Sequence, residues 1–148
     1  MTLSGIHRAV YEALRIRASR RGNAVPVLLE DAGNVVAERD SSFARAHLAV
    51  EVGPPVFEAK SRDSATIEGV ARLTVTVFEQ PTRNRVGQRL DGPTALDEAE
   101  AIACGLHHLP LDCGVLVCTG IGGVERVDGQ TVSRGVAFEA LTTLTGEE

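Results

Sequence analysis

Aromatic side chains are scarce in this sequence, which has four Phe, one Tyr and no Trp among 148 residues. Proteins that bind single-stranded nucleic acid without sequence preference stack its bases on aromatic rings, and many small-molecule pockets are lined with such rings. The composition therefore argues against both kinds of binding site. Because 43% of the residues are still hydrophobic, we expect a core built from Val, Leu, Ile and Ala.

An excess of cationic residues is also lacking, since the formal net charge is −5 and the pI is about 5.4. Domains that bind nucleic acid are generally basic, so we expect no sequence-specific nucleic acid as a partner. No stretch approaches the roughly 20 apolar residues of a membrane span, and the arginine-rich N-terminus lacks the apolar segment of a signal peptide. We therefore expect that the protein makes no membrane contact and that it assembles in the cytoplasm.

Cysteine is sparse, and its odd count of three does not form a disulfide framework. Cys104, Cys113 and Cys118 lie near His107 and His108, and all five are residue types that bind zinc. However, no C-x-x-C pair or complete Cys and His frame is present. A buried thiol in an apolar strand explains Cys118, and the helix dipole explains histidines at a helix C-terminus. We therefore assign no metal ligand.

Catalytic and cofactor-binding motifs are missing as well. The glycine cluster Gly120–Gly123 lacks the lysine of a phosphate-binding loop and precedes a strand, so it indicates a bulge or a tight bend. The acidic residues Asp97, Glu98 and Glu100 begin a predicted helix, where solvated carboxylates are favoured by the positive end of the dipole. We assign no catalytic residue and no cofactor, and we expect that the protein is not an enzyme.

Two helices are predicted from the spacing of apolar residues. The first runs from Leu3 to about Ser19, and the second from about Ala95 to Leu109. Thr94 and Asp97 resemble a capping box that begins the second helix. The apolar face of the first helix comprises Leu3, Ile6, Val10, Ala13 and Leu14, and that of the second comprises Leu96, Ala99, Ala103 and Leu106.

Strands are predicted where apolar and polar residues alternate or where a short apolar run ends at a turn. The clearest alternation runs from Val70 to Glu79. Asp128-Gly129 is a hairpin signal ahead of a closing strand from about Val132 to about Leu144. The other candidates are Val25–Leu29, His47–Val52, Phe57–Arg62 (a strand or a loop), and a strand pair Gly114–Thr119 and Gly123–Val127 around Gly120–Gly122.

These elements predict an α+β fold with a mostly antiparallel sheet of four to six strands and two helices flanking it on one side. No linker or repeat divides the chain, so we expect residues 1–148 to form one domain. Between the predicted strand Val70–Glu79 and the second helix, the polar segment Gln80–Gly92 is longer than most connections. It carries Arg83, Arg85 and Arg89, which makes it a candidate contact loop.

The element order and chain length resemble the tail terminator proteins of long-tailed phages and related tail-like particles. That family has no invariant motif, so the resemblance transfers no residue role. The chain differs from it in the extra segment Gly53–Gly69 and in the arginine-bearing loop Arg83–Arg89. Three parts carry the likeness: the helix Ile6–Leu14 before the strand Ala46–Val52, the strand Ala71–Glu79 leading to the helix Leu96–Leu109, and the hairpin with the long strand Val132–Leu144.

The resemblance implies a ring, usually of six copies, that caps the finished tail tube and joins the tail to the head connector. The expected partners are further copies of the chain, the tail tube protein and the head–tail connector protein, at the head–tail junction of a virion. Rings need heterologous interfaces between unlike surfaces. The charged candidates for these contacts are Arg15 and Arg17 on the first helix, Asp97 and Glu98 on the second, and Arg83, Arg85 and Arg89 in the polar loop.

Three other interpretations stay open. Size and composition do not separate a tail terminator from a neck, head-closure or other tail-associated structural protein. A small α+β enzyme would have a deep pocket with convergent polar side chains and shifted pKa values. A zinc-binding regulator would contain metal after purification.

Overall fold

The computed structural model describes residues 2–20, 27–29, 47–61, 65–86, 89–90 and 93–144. The helices are α1 (Leu3–Arg20) and α2 (Ala95–Leu106). The first two strands agree with the predicted ones, although Val25 and Pro26 lie outside the described residues. Of the two alternatives for Phe57–Arg62, the strand is confirmed at its start but ends at Ala59, and Arg62 lies outside the described residues. The strands are β1 (Val27–Leu29), β2 (Leu48–Val52), β3 (Val56–Ala59), β4 (Ile67–Glu79), β5 (Arg85–Val86), β6 (Arg89–Leu90), β7 (Pro110–Leu111), β8 (Gly114–Val115), β9 (Val117–Ile121), β10 (Glu125–Arg126) and β11 (Val132–Leu144).

The main sheet has the strand order β1-β2-β4-β11-β10, with β3 also paired to β4 and β9 also paired to β11. Among the described residues it contains six strands of three or more residues and the two-residue strand β10. Only the pairing of β1 with β2 is parallel, and all the other pairings in this sheet are antiparallel. The α+β class and the mostly antiparallel sheet are therefore confirmed.

Strands β4 and β11 form the centre of the sheet, each with 13 residues, and they pair from Ile67–Leu144 to Glu79–Val132. Apolar and polar residues alternate along much of both strands, and every second side chain of a strand lies on the same face of the sheet. Val75 pairs with Val136, and Leu73 with Phe138. These four side chains are buried on one face of the sheet.

Both helices pack on that same face. Ile6, Val10 and Leu14 of α1 join the sheet residues in one core cluster with Ala99, Ile102 and Leu106 of α2. The amphipathic faces therefore agree with the prediction except at Leu96, which is 47% exposed. At 100° per residue, Leu96 lies about 90° from the centre of the buried face of α2. That face is centred between Ala99 and Ile102.

The last third of the chain departs from the predicted strand pair around Gly120–Gly122. Strands β9 and β10 do not pair with each other, because both pair with β11. β8 pairs instead with β7. The hairpin at Asp128-Gly129 is confirmed: it joins β10 to β11, and the Asp128 carboxylate accepts hydrogen bonds from the amides of Gln130 (2.7 Å) and Thr131 (2.8 Å). A side-chain turn of this kind is typical of Asp.

The segment between β4 and α2 is more ordered than the predicted polar loop. It begins with a 3₁₀ turn at Pro81–Asn84. Strands β5 and β6 then form a short hairpin in which Arg85 pairs with Leu90 and Val86 pairs with Arg89. The prediction of an irregular loop was therefore wrong at residues 81–86 and 89–90, while Gly87, Gln88, Asp91 and Gly92 lie outside the described residues.

Candidate functional site

The two arginines predicted as contacts on α1 have different surroundings. Arg15 is exposed, with its guanidinium 3.6 Å from the Glu12 carboxylate and 5.6 Å from the centre of the Tyr11 ring. Arg17 is half-buried and reaches across to α2, where its guanidinium occupies the space that a side chain at Gly105 would fill. It lies against the last turn of α2, where the helix dipole is negative. Arg17 is thus a packing residue between the two helices, a role that the sequence did not predict for it.

The three arginines of the polar segment lie within one small unit of structure. Arg83 is exposed in the 3₁₀ turn. Arg85 and Arg89 lie in β5 and β6, on opposite strands of the hairpin that follows. Their contribution to a partner contact stays a prediction. The backbone nevertheless places all three between the end of β4 and the start of α2.

The first turn of α2 contains the predicted capping box. The amide of Thr94 donates to the Asp97 carboxylate (2.9 Å), and the amide of Asp97 donates to the Thr94 hydroxyl (3.3 Å). The Thr94 hydroxyl also donates to the Asp97 carboxylate (3.0 Å). The hydrogen bond from the Thr94 amide and then that from the Thr94 hydroxyl lower the pKa of Asp97. Asp97 is exposed, so its charge is accessible to a partner.

Glu98 contradicts the expectation of a solvated carboxylate, because it is only 5% exposed. A second buried carboxylate, Glu79 at the end of β4, is 6% exposed and accepts a hydrogen bond from the Ala95 amide (2.9 Å). Glu79 therefore satisfies an amide at the start of α2 that has no partner within the helix. Sequence reasoning missed it, although period two from Val75 and Val77 places Glu79 on the same inward face.

A charged cluster on the open face of the sheet was not predicted either. Glu58 of β3 accepts hydrogen bonds from Lys60 (2.7 Å) and from Arg72 of β4 (2.5 Å). Arg72 also lies 3.6 Å from Glu139, its register partner on β11. The hydrogen bond from Lys60 and then that from Arg72 lower the pKa of Glu58 from 4.5 to about 2. These residues are far apart in sequence, and only the strand register brings them together.

The cysteines and histidines are spread over α2, β9 and the turn between β7 and β8. Cys104 is exposed, while Cys113 and Cys118 are half-buried. His107 is the C-cap residue of α2, as predicted for its place at the helix end, and its Nδ1 accepts a hydrogen bond from the Cys118 amide (3.1 Å). Across the described ranges, no three His, Cys, Asp or Glu side chains form a group that could hold a metal ion.

A shallow groove of about 400 Å³ lies where β9 separates from β11. Val115 and Val117 line one side, and Ala140 and Leu141 line the other. Cys113 and Glu139 also contribute to its walls. Its lining is mainly apolar.

Neither helix in the part of the chain that the structure describes is long and apolar enough to cross a membrane. No protein-family model matches the sequence, and no curated protein matches it either. Among solved structures, the chain is similar to a protein in a structure described as "Virion of native gene transfer agent (GTA) particle". The two folds superpose with a TM-score of 0.60 at 17% sequence identity, over 95% of this chain and 96% of the other. At this identity the likeness establishes a shared fold.

Proposed function

We propose that this chain is a structural protein of a phage-like virion, which caps the end of the tail tube as a ring and joins the tail to the head connector. The observation that carries the proposal is the shared fold with a protein of a gene transfer agent virion. That likeness extends over nearly the full length of both chains, so it is not limited to a common motif. The element order on which the resemblance to tail terminators rests supports the finer assignment.

The charged surfaces of the chain are suited to contacts between unlike faces, which a ring of identical subunits requires. Arg15 and Arg83 are exposed cations, and Asp97 is an exposed anion at the start of α2. Opposite charges on two separate surfaces direct the encounter of subunits and fix their register. Arg85 and Arg89 lie in the hairpin next to Arg83, so they belong to the same proposed contact.

Two of the predicted contact residues are left out of this surface. Arg17 packs against Gly105 between the helices, and Glu98 is buried beneath the first turn of α2. Substituting either one would disturb the fold of the subunit before it disturbed an interface. The proposed subunit contacts are therefore Arg15, Asp97 and the three arginines between β4 and α2, which are Arg83 in the 3₁₀ turn and Arg85 and Arg89 in the hairpin. The tail tube protein and the connector are further partners.

Electron microscopy of particles made with and without the protein tests this function. If the chain caps the tube, its deletion gives tails of abnormal length that do not join heads, and a plasmid copy restores normal particles. Tails of normal length that fail to join heads would move the assignment to a neck or head-closure protein. Normal particles in the deletion strain would refute both assignments.

A triple variant tests the contribution of the hairpin arginines. Arg83→Ser, Arg85→Ser and Arg89→Ser together are expected to reproduce the deletion phenotype while the protein stays folded. Arg8→Ser is the matched control, because Arg8 is an exposed arginine outside the proposed contacts. If the triple variant restores assembly as well as the control does, the hairpin is not a contact.

A further inference from the structure

One edge of the sheet carries an unusual exposed segment, Thr119–Gln130, which we call the edge arm. All 12 of its residues are exposed, including Ile121 (40%), Val124 (57%) and Val127 (39%). Its strands β9 and β10 pair on one side with β11 and have no strand on their other side among the described residues. The edge arm contains no Lys or Pro, and its charged residues are Glu125, Arg126 and Asp128. An exposed strand edge with unpaired backbone groups and apolar side chains can pair with another chain.

The groove beside β11 is a gap in the same sheet edge, and we call it the notch. Strand β9 follows β11 as far as the pair Val117–Glu139. The chain before β9 turns away, because the Leu116 amide donates to the Leu109 carbonyl (2.9 Å). Residues 140–144 of β11 therefore pair with β4 on one side and with no other described strand on the second side. Leu141, at the notch, is 73% exposed.

The edge arm cannot fill the notch of its own subunit. Strand β10 is paired to β11 at Val132 and Ser133, whereas the notch lies at Ala140 and Leu141. Eight positions separate Ser133 from Leu141, which is about 26 Å along a strand at about 3.3 Å per residue. Only the edge arm of a second copy can reach the notch while its own pairing to β11 is kept.

The two features are complementary in shape and chemistry. A strand placed in the notch would hydrogen-bond the free edge of β11, as in recognition by β-augmentation. The apolar side chains of the edge arm would then cover Leu141 and Val115, which are both exposed in the single subunit. Arg126 of the edge arm and Glu139 of the notch also carry opposite charges, which favours a single register.

We propose that the edge arm of one copy adds to β11 in the notch of the next copy. The contact joins unlike surfaces, so each subunit gives one edge arm and receives another, and such contacts form a ring when the rotation between neighbours closes. This inference rests on the proposed ring, for which it names the subunit interface. It places that interface on apolar strand edges, with the charged surfaces left for register and for other partners.

Cysteine cross-linking tests the contact directly, because Cys113 lines the notch. In a Cys104→Ser, Cys118→Ser background, Val124→Cys is expected to give disulfide-linked dimers and larger species on mild oxidation. The experiment is run on concentrated protein and on assembled particles. Removing the notch thiol with Cys113→Ser should abolish these species. Leu96→Cys, at an exposed position on α2, is the matched control and should give none.

The absence of linked species from both the protein and the particles would overturn the proposal. So would equal linking by Val124→Cys and Leu96→Cys. Linking that persists after Cys113→Ser would also contradict it, because the notch thiol would then not be the partner. Ile121→Cys and Val127→Cys extend the scan along the edge arm, so a shift of register by one or two residues does not hide the contact.

Mixing two variants tests whether the contact is head-to-tail. Ile121→Asp with Val124→Asp alters the edge arm, and Leu141→Arg alters the notch. All three side chains are exposed, so the unfolding temperature of each variant should stay near that of the wild type. Each variant alone is expected to self-associate at least about tenfold more weakly than the wild type. An equimolar mixture retains one intact edge arm and one intact notch, so it should form dimers and no larger species.

A mixture that stays monomeric, or variants that assemble normally, would refute the interface. The outcome is separate from that of the proposed function. If the variants fail to associate but particles lacking the protein are normal, the interface stands and the tail-capping function falls. If the protein is required for tails and the edge-arm variant still makes them, the function stands and the interface falls.

Discussion

Replacing Gly69 with alanine should loosen the pairing of β3 with β4. Gly69 is the register partner of Ala59, and a methyl group at this position would overlap the backbone carbonyl of Glu58 and come within 2.8 Å of the Phe57 ring. A backbone atom cannot rotate away as a flexible side chain can. The strand β3 must therefore move, which loosens its hydrogen bonds to β4.

Overpacking of this kind costs about 1–3 kcal/mol. For a chain of this size, the loss corresponds to a fall of about 2–12 °C in unfolding temperature. The displacement also moves Glu58 away from Arg72, so the pKa of Glu58 should rise from about 2 towards its ordinary value. Calorimetry measures the first effect, and side-chain NMR titration measures the second.

Gly120→Ala is the matched control, since apart from its chain neighbours no described residue has an atom within 4 Å of a methyl group at that position. Its unfolding temperature should stay within the small range of ordinary surface substitutions. If Gly69→Ala unfolds at the wild-type temperature with an unchanged Glu58 pKa, the close approach of β3 to β4 is wrong. If only the unfolding temperature falls, β3 has not moved away from Arg72 and the proposed coupling is refuted.

Three further predictions concern stability. Glu79→Ala should lower the free energy of unfolding by about 1–3 kcal/mol in denaturant titrations, because it leaves the buried Ala95 amide without its acceptor; an unchanged midpoint would contradict this role. The folded-state pKa of Glu58 is depressed, so its stabilising contribution is complete above about pH 4.5 and lost as the pH falls towards 2. At low salt, Glu58→Gln should make the free energy of unfolding vary less between pH 4.5 and about pH 2. A pH dependence identical to that of the wild type would rule this contribution out. Gly105→Ala should raise the free energy of unfolding by less than the about 1 kcal/mol usual for this change in a helix, because the Arg17 guanidinium occupies the space of the new methyl group. In an Arg17→Ala background the same change should give the full increase. Equal increases in both backgrounds would refute the packing of Arg17 against Gly105.

The elements whose signals are local were predictable from the sequence. Alternation in Val70–Glu79 and Val132–Leu144 predicted the two central strands, because period two fixes which side chains are buried wherever the partner strand lies. The capping box at Thr94 and Asp97 marked the start of α2, since both of its hydrogen bonds span three residues. The buried face of α1 followed from its spacing for the same reason.

The features that were missed depend on contacts between distant parts of the chain. The sequence around Gly120 does not indicate that β9 and β10 both pair with β11. Arg17 was predicted only as a candidate contact, because nothing in the sequence places Gly105 of the other helix beside it. Glu98 looked solvated for a similar reason, because its burial follows from how α2 lies on the sheet.

The sequence indicated only some of the residues that we propose as partner contacts. Charged residues in a long polar segment drew attention to Arg83 and its neighbours. The edge arm and the notch carry no comparable signal, because Ile121 and Leu141 have the pattern of ordinary strand residues. Their exposure becomes evident only when the edges of the sheet are known.

A reconstruction of intact particles by electron microscopy tests the central claim most directly. If the chain caps the tail tube, its fold fits density for a closed ring at the head–tail junction, with the edge arm of each copy against β11 of the next. A ring there with other subunit contacts would support the function and refute the interface. Density for this fold at another site in the particle, or a junction without it, would contradict the tail-capping account.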